Sequence, residues 1–114
     1  MKDYHFFQQQ VIDYARKLAT EGYLKGTGGN ISVRVTGEDA LAITPSNQDY
    51  FTITPDDVCV YRFDGTKIHG EMKPSIEMGF HSAVYQVRSD VGCVMHTHQD
   101  FASAVALINK PIPA

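Results

Sequence analysis

The run Asp90-Val91-Gly92-Cys93-Val94-Met95-His96-Thr97-His98 constrains this chain more than any other. Its first five residues read as a short buried strand, and the strand delivers two histidines spaced two apart. Side chains at that spacing on a strand share a face, so His96 and His98 are expected side by side. Neutral imidazole is a common metal ligand. Two imidazoles do not complete a site, and the question becomes which residues the fold sets opposite them.

At 114 residues the chain is long enough for one domain with a modest core. A hydrophobic content of 43% with 20% charged residues fits a folded protein rather than a disordered one. The net charge is -3 with no basic run, which argues against nucleic acid as a partner. No apolar run reaches membrane-spanning length. The start, Met1 to His5, reads as cytoplasmic and without a signal peptide. Cys59 and Cys93 lie in apolar strand-like runs and are not spaced as a zinc pair, so both are expected as reduced core thiols.

Tyr4 to Glu21 has the 3.6-residue period of an amphipathic helix, with Phe7, Val11, Tyr14, Ala15 and Leu18 on one side and Gly22 as its stop. Lys25-Gly26-Thr27-Gly28-Gly29-Asn30 follows, either a tight turn or a nest of amides for an anion. Ile31 to Val35 alternates as a half-buried strand, with Ala40 to Thr44 as its antiparallel partner. Pro45-Ser46-Asn47 breaks that partner. Val58 to Phe63 and Thr66 to His69 read as a hairpin around Asp64-Gly65. A second helix is expected over about Ile76 to Val87, with Ser75 as N-cap and Phe80, Ala83, Val84 and Val87 as the apolar stripe. His81 is expected to pack. After the paired histidines, Asp100 to Ile108 reads as a third helix.

Three hints of chemistry emerge from the residues. One is the glycine-rich turn with the Asn30 amide. The second is Ser75 and Glu77 at a helix N-terminus, a place that suits an anion but equally a simple cap and a favourable dipole contact. The third is the histidine pair. Together they suggest a metal centre beside a phosphate pocket, with Glu77 as proton carrier, and hence metal-assisted proton abstraction next to a carbonyl.

The segments Gly26-Thr27-Gly28-Gly29-Asn30-Ile31-Ser32, Ile43-Thr44-Pro45-Ser46, Lys73-Pro74-Ser75-Ile76-Glu77 and His96-Thr97-His98 occur in an order and spacing that resembles the class II aldolase/adducin family. The similarity is greatest to its sugar-phosphate lyases of the fuculose-phosphate aldolase kind. The resemblance implies an α/β fold, a three-layer α/β/α domain around a mainly antiparallel central sheet, over residues 1–114 as the N-terminal portion of the family's domain and incomplete at the C-terminus. It implies Zn2+ held by His96 and His98, with Glu77 as acid/base. It implies a substrate phosphate held by Gly29, Asn30, Ser46, Asn47, Ser75 and Ile76. Ile76 stands where the aldolases often have a second serine, leaving only its backbone amide, and Asn47 stands where glycine is frequent.

The activity implied is reverse aldol cleavage of a phosphorylated keto-sugar through a metal-stabilised enediolate, in a cytoplasmic homotetramer. A related epimerase or dehydratase, or a non-catalytic adducin-like module, are the competing readings. The family's third zinc histidine lies downstream of the His-Thr-His segment and has no match here. Little aldolase activity is therefore expected of these 114 residues alone.

Overall fold

Helix α1, His5–Thr20, buries Phe7, Val11, Ile12, Ala15 and Leu18 along one side, the period read from the sequence. The chain leaves it through Gly22 at φ +85°, and the Gly22 amide donates to the Ala19 carbonyl at 3.1 Å. The computed structural model describes residues 3–22 and 29–96, and the backbone of 104–107. His98 and residues 25–28 of the glycine-rich turn lie outside the described residues.

Six strands follow: β1 Asn30–Arg34, β2 Ala40–Ile43, β3 Cys59–Arg62, β4 Lys67–His69, β5 Cys93–His96 and β6 Ala104–Leu107. They form one sheet in the order β4-β3-β2-β1-β5-β6, and every pairing is antiparallel. Helix α2, Met78–Val87, lies between β4 and β5 in the chain. Alternate strand residues enter two separate cores. Ile31, Val33, Ala42 and Val60 pack with α1. Leu41, Ile43, Cys59 and Val94 pack with Tyr85 of α2. The result is the three-layer α/β/α arrangement with an antiparallel centre.

Covering both faces explains one departure from the alternation in the sequence. β1 was expected to be half-buried, but Asn30, Ile31, Ser32 and Val33 are all buried, as a strand between two helical layers must be. Its polar side chains therefore need partners inside the protein.

Two helix expectations are corrected. Residues 104–107 form strand β6, paired with β5 from Cys93↔Leu107 to His96↔Ala104, and not part of a third helix. A short apolar run satisfies both periods, and the open edge of β5 decides between them. Helix α2 starts at Met78 rather than Ile76, and it buries His81, Ser82 and Tyr85. Phe80 and Val87 of the expected apolar stripe are exposed, Val87 at 81%. The stripe counted only apolar residues, whereas the inward face of α2 is polar and internally bonded.

Arg34 holds α2 against the sheet. Its guanidinium donates to the carbonyls of Tyr85, Arg88 and Val91 at 2.8–2.9 Å and lies 4.9 Å from the centre of the Tyr85 ring. A cation at a helix C-terminus is favourable, and here it also fixes the rotation of the helix. On the other layer, Arg16 of α1 donates to the carbonyls of Tyr50 and Ile53 at 2.9 Å.

Candidate active site

The loop held by Arg16 carries Tyr50, whose buried phenol donates to the Gly29 carbonyl at 2.7 Å. Gly29 is at φ +83°, so the glycine is needed where the chain turns into β1. Across the end of β2, the Thr44 amide donates to the Ile31 carbonyl at 3.1 Å, and the Ile31 amide donates to Thr44 Oγ1 at 3.3 Å. The next residues turn towards a third segment. Pro45 bridges Pro74, the Ser46 amide donates to the Lys73 carbonyl at 2.8 Å, and the Ser75 amide donates to the Thr44 carbonyl at 3.1 Å.

These bonds gather three distant segments around a cleft of about 150 Å³. Gly29 and Asn30 line it from β1, Pro45, Ser46 and Asn47 from the end of β2, and Ser75, Ile76 and Glu77 from the approach to α2. All six residues expected to hold the phosphate are on its wall. Apart from Glu77, the described residues of the wall are neutral, with an amide or hydroxyl on Asn30, Ser46, Asn47 and Ser75. Such a wall can donate hydrogen bonds to an anion without a fixed cation.

Ser75 is not the N-cap expected of it. The Thr44–Ser75 bond and the proline bridge keep Ser75 with the loop, and α2 begins only at Met78. Its hydroxyl instead accepts from the Glu77 amide at 3.2 Å. Glu77 takes the N-cap position but makes no side-chain cap bond. Its carboxylate turns to β5, where Oε2 lies 2.7 Å from His96 Nδ1. Both side chains are partly buried. A dipole contact alone does not require that direction.

His96 lies directly across the sheet from Asn30, in register. Asn30 and Ser32 point to the α2 side, where His81 and Tyr85 meet them. His81 Nδ1 is 2.6 Å from Ser32 Oγ, Ser32 Oγ is 2.8 Å from the Tyr85 hydroxyl, and His81 Nε2 bonds Asn30 Oδ1. Burial pushes the His81 pKa down to about 4, with His96 acting in the same direction. His81 was expected only to pack, and Ser32 and Tyr85 were not singled out. One sign was available: Asn30, Ser32 and Arg34 alternate on one strand face, a polar face in a strand otherwise fit for a core.

Both cysteines are free and buried, and burial raises Cys59 to about 11 and Cys93 to about 12. They are inert thiols. A larger hollow of about 620 Å³ lies between Arg34, Arg62, Phe63 and Tyr85, but its Arg34 guanidinium is already committed to α2. His69, expected at the surface, pairs there with Asp56 at 3.0 Å.

The 2.7 Å contact is an ion pair when the imidazole is protonated, but imidazole nitrogen and carboxylate oxygen are both donor types that zinc accepts. The residues present are therefore chemically compatible with the metal that the family resemblance implies. Among the described residues no group of three such side chains occurs, and the other expected ligand, His98, is not among them. No described helix is long and apolar enough to cross a membrane.

Residues 9–114 match the family model described as the class II aldolase and adducin N-terminal domain. A 5-deoxy-D-ribulose 1-phosphate aldolase of Bacillus thuringiensis serovar kurstaki is 36% identical over 107 residues, 94% of this chain and 50% of that protein. An L-fuculose phosphate aldolase of Escherichia coli strain K12 is 38% identical over 107 residues, 93% of this chain and 48% of that one. A solved L-fuculose 1-phosphate aldolase superposes with a TM-score of 0.77 at 38% identity, covering 82% of this chain and 44% of the other. The chain thus spans about half the length of the curated relatives it matches.

Proposed function

Because the chain belongs to the class II aldolase/adducin family, we propose that it supplies the phosphate cradle and acid/base group of a zinc-dependent aldolase acting on a phosphorylated keto-sugar. One observation carries the reading: a cleft of neutral donors from three segments ends at the Glu77 carboxylate, 2.7 Å from His96. An anion cradle joined to a carboxylate–imidazole pair is what reverse aldol cleavage of a sugar phosphate needs. The relatives named as aldolases of 5-deoxy-D-ribulose 1-phosphate and of L-fuculose phosphate support a substrate of that class.

Asn30, Ser46, Asn47 and Ser75 bind the phosphate and so set where the carbonyl end lies. Ile76 contributes its backbone amide. His96, with His98, would hold the zinc, which when bound supplies Lewis-acid stabilisation of developing negative charge. Loss of the C4 hydroxyl proton with cleavage of the C3–C4 bond releases an aldehyde and leaves a three-carbon enediolate phosphate, which must then take a proton at C3. Glu77 Oε2 carries that proton, held at its post by the Ser75 hydroxyl on the Glu77 amide. The partly buried setting limits water at the same point. An oligomer belongs to this reading, with Ile76, 87% exposed at the cleft rim, as surface it can cover. A reducing, cytoplasmic setting suits the two free thiols.

The test is release of dihydroxyacetone phosphate by the intact zinc-loaded protein from fuculose 1-phosphate and 5-deoxyribulose 1-phosphate. Chelation should abolish cleavage, and His96→Ala should lose the metal. Glu77→Gln should retain zinc and lower kcat by about 10²–10⁴-fold. A Glu77→Gln protein as fast as the parent refutes the acid/base role. If a version extended through the third histidine also neither binds zinc nor cleaves either sugar, the non-catalytic module is the reading that stands.

A further inference from the structure

We infer that His81 is a positioning residue: it locks the Asn30 carboxamide so that the NH2 end, not the oxygen, faces the anion cleft. This rests on the phosphate reading of that cleft. His81 itself does not line it.

The proton order follows from donor and acceptor chemistry. Asn30 Oδ1 only accepts, so His81 Nε2 must carry the proton in the bond between them. A neutral imidazole with its proton on Nε2 has a lone pair on Nδ1. Ser32 Oγ, 2.6 Å away, therefore donates to Nδ1, and the Tyr85 hydroxyl, 2.8 Å further on, donates to Ser32 Oγ. The donors run in one direction, Tyr85 to Ser32 to His81 to Asn30. All four side chains are buried. None of the four is a carboxylate, so an imidazolium at His81 would have no countercharge within the network.

The spacing of both elements builds this line. Asn30 and Ser32 are two apart on β1, and His81 and Tyr85 are four apart on α2, so each pair shares one face. An unconstrained carboxamide can present either end. Turned outward, its oxygen would place partial negative charge against a phosphate. With Oδ1 held inward by His81, Nδ2 is the end of the carboxamide left to turn towards the ligand. Among the described residues the wall has no fixed cation, so the direction of each neutral dipole bears on its affinity for an anion.

Two measurements test the inference. Long-range 1H–15N correlation spectra of the intact protein should show His81 neutral and protonated on Nε2 between about pH 6 and pH 8. The Nδ1-protonated tautomer, or an imidazolium, overturns it. Calorimetric binding of dihydroxyacetone phosphate should weaken about tenfold in Asn30→Ala and in His81→Leu, with folding checked by circular dichroism. The double variant should bind no worse than Asn30→Ala alone, and His81→Gln, which keeps a donor, should recover part of the loss. Additive losses overturn the inference, because a residue acting through Asn30 has nothing left to act on once Asn30 is gone. If His81→Leu does not fold, the tautomer in the parent protein decides. If the parent does not bind dihydroxyacetone phosphate, the functional reading fails while the tautomer still judges the orientation of Asn30.

Discussion

Among the described residues, Asn47 is the one non-glycine residue with positive φ, at 57°. Asparagine tolerates the left-handed region better than other side chains do. The cleft needs the backbone turned this way, and asparagine, like glycine, permits it. Asn47→Gly should therefore leave stability nearly unchanged, while Asn47→Val should cost about 1–2 kcal/mol in urea unfolding. A valine variant as stable as the parent would sink this account. The six cleft residues were named by the family resemblance, and the glycine-rich turn with Asn30 also by its own chemistry. The role of His81 was not, since its meaning comes from Asn30, 51 positions away in sequence. Ser75 was misread for a related reason: the bond that draws it into the loop comes from Thr44.

At the scale of elements, the β3–β4 hairpin closes against its own backbone at Gly70. Its φ is +125°, and a Cβ there would lie 3.2 Å from Cys59 Cα. Gly70→Ala combines a strained backbone with a contact to main chain that cannot swing aside. It should lower stability by about 1–3 kcal/mol. A thermal midpoint equal to that of the parent contradicts this. The Asp64-Gly65 signal located the hairpin, and the expected bounds of β1 to β4 lie within a residue or two of those found. Strand β6 escaped because four apolar residues carry too little periodic information. The inward face of α2 escaped because His81 and Ser82 are polar.

For the molecule as a whole, the buried histidine ties folding to pH. His81 is lowered from 6.5 to about 4 in the folded protein, so the unfolded chain takes up the proton first as pH falls. Its contribution to stability is complete above pH 6.5 and is lost on descending towards about 4, by about 3 kcal/mol. Asp64, held below its ordinary 3.8 by its bonds from Thr66, and Asp90, held down by Arg88, act only at lower pH. Urea midpoints should therefore fall through the pH 6.5–4 window, and His81→Gln should flatten that slope. A parent protein with pH-independent midpoints there contradicts the buried neutral imidazole. The three-layer order, with which the element order was only compatible, was legible from the family resemblance. The double burial of β1 was not, because alternation cannot reveal whether the second face is covered.

The pairing of Asn30 with His96 makes the sheet a ruler. Two hydrogen-bonded neighbours carry the phosphate end and the metal end of the proposed site, so the span between them is graduated by the strand ladder and not by a loop. Sliding β5 by one residue along β1 would turn its imidazole to the opposite side of the sheet. A misaligned isomer of this protein would thus be blind to its ligand from the moment it formed.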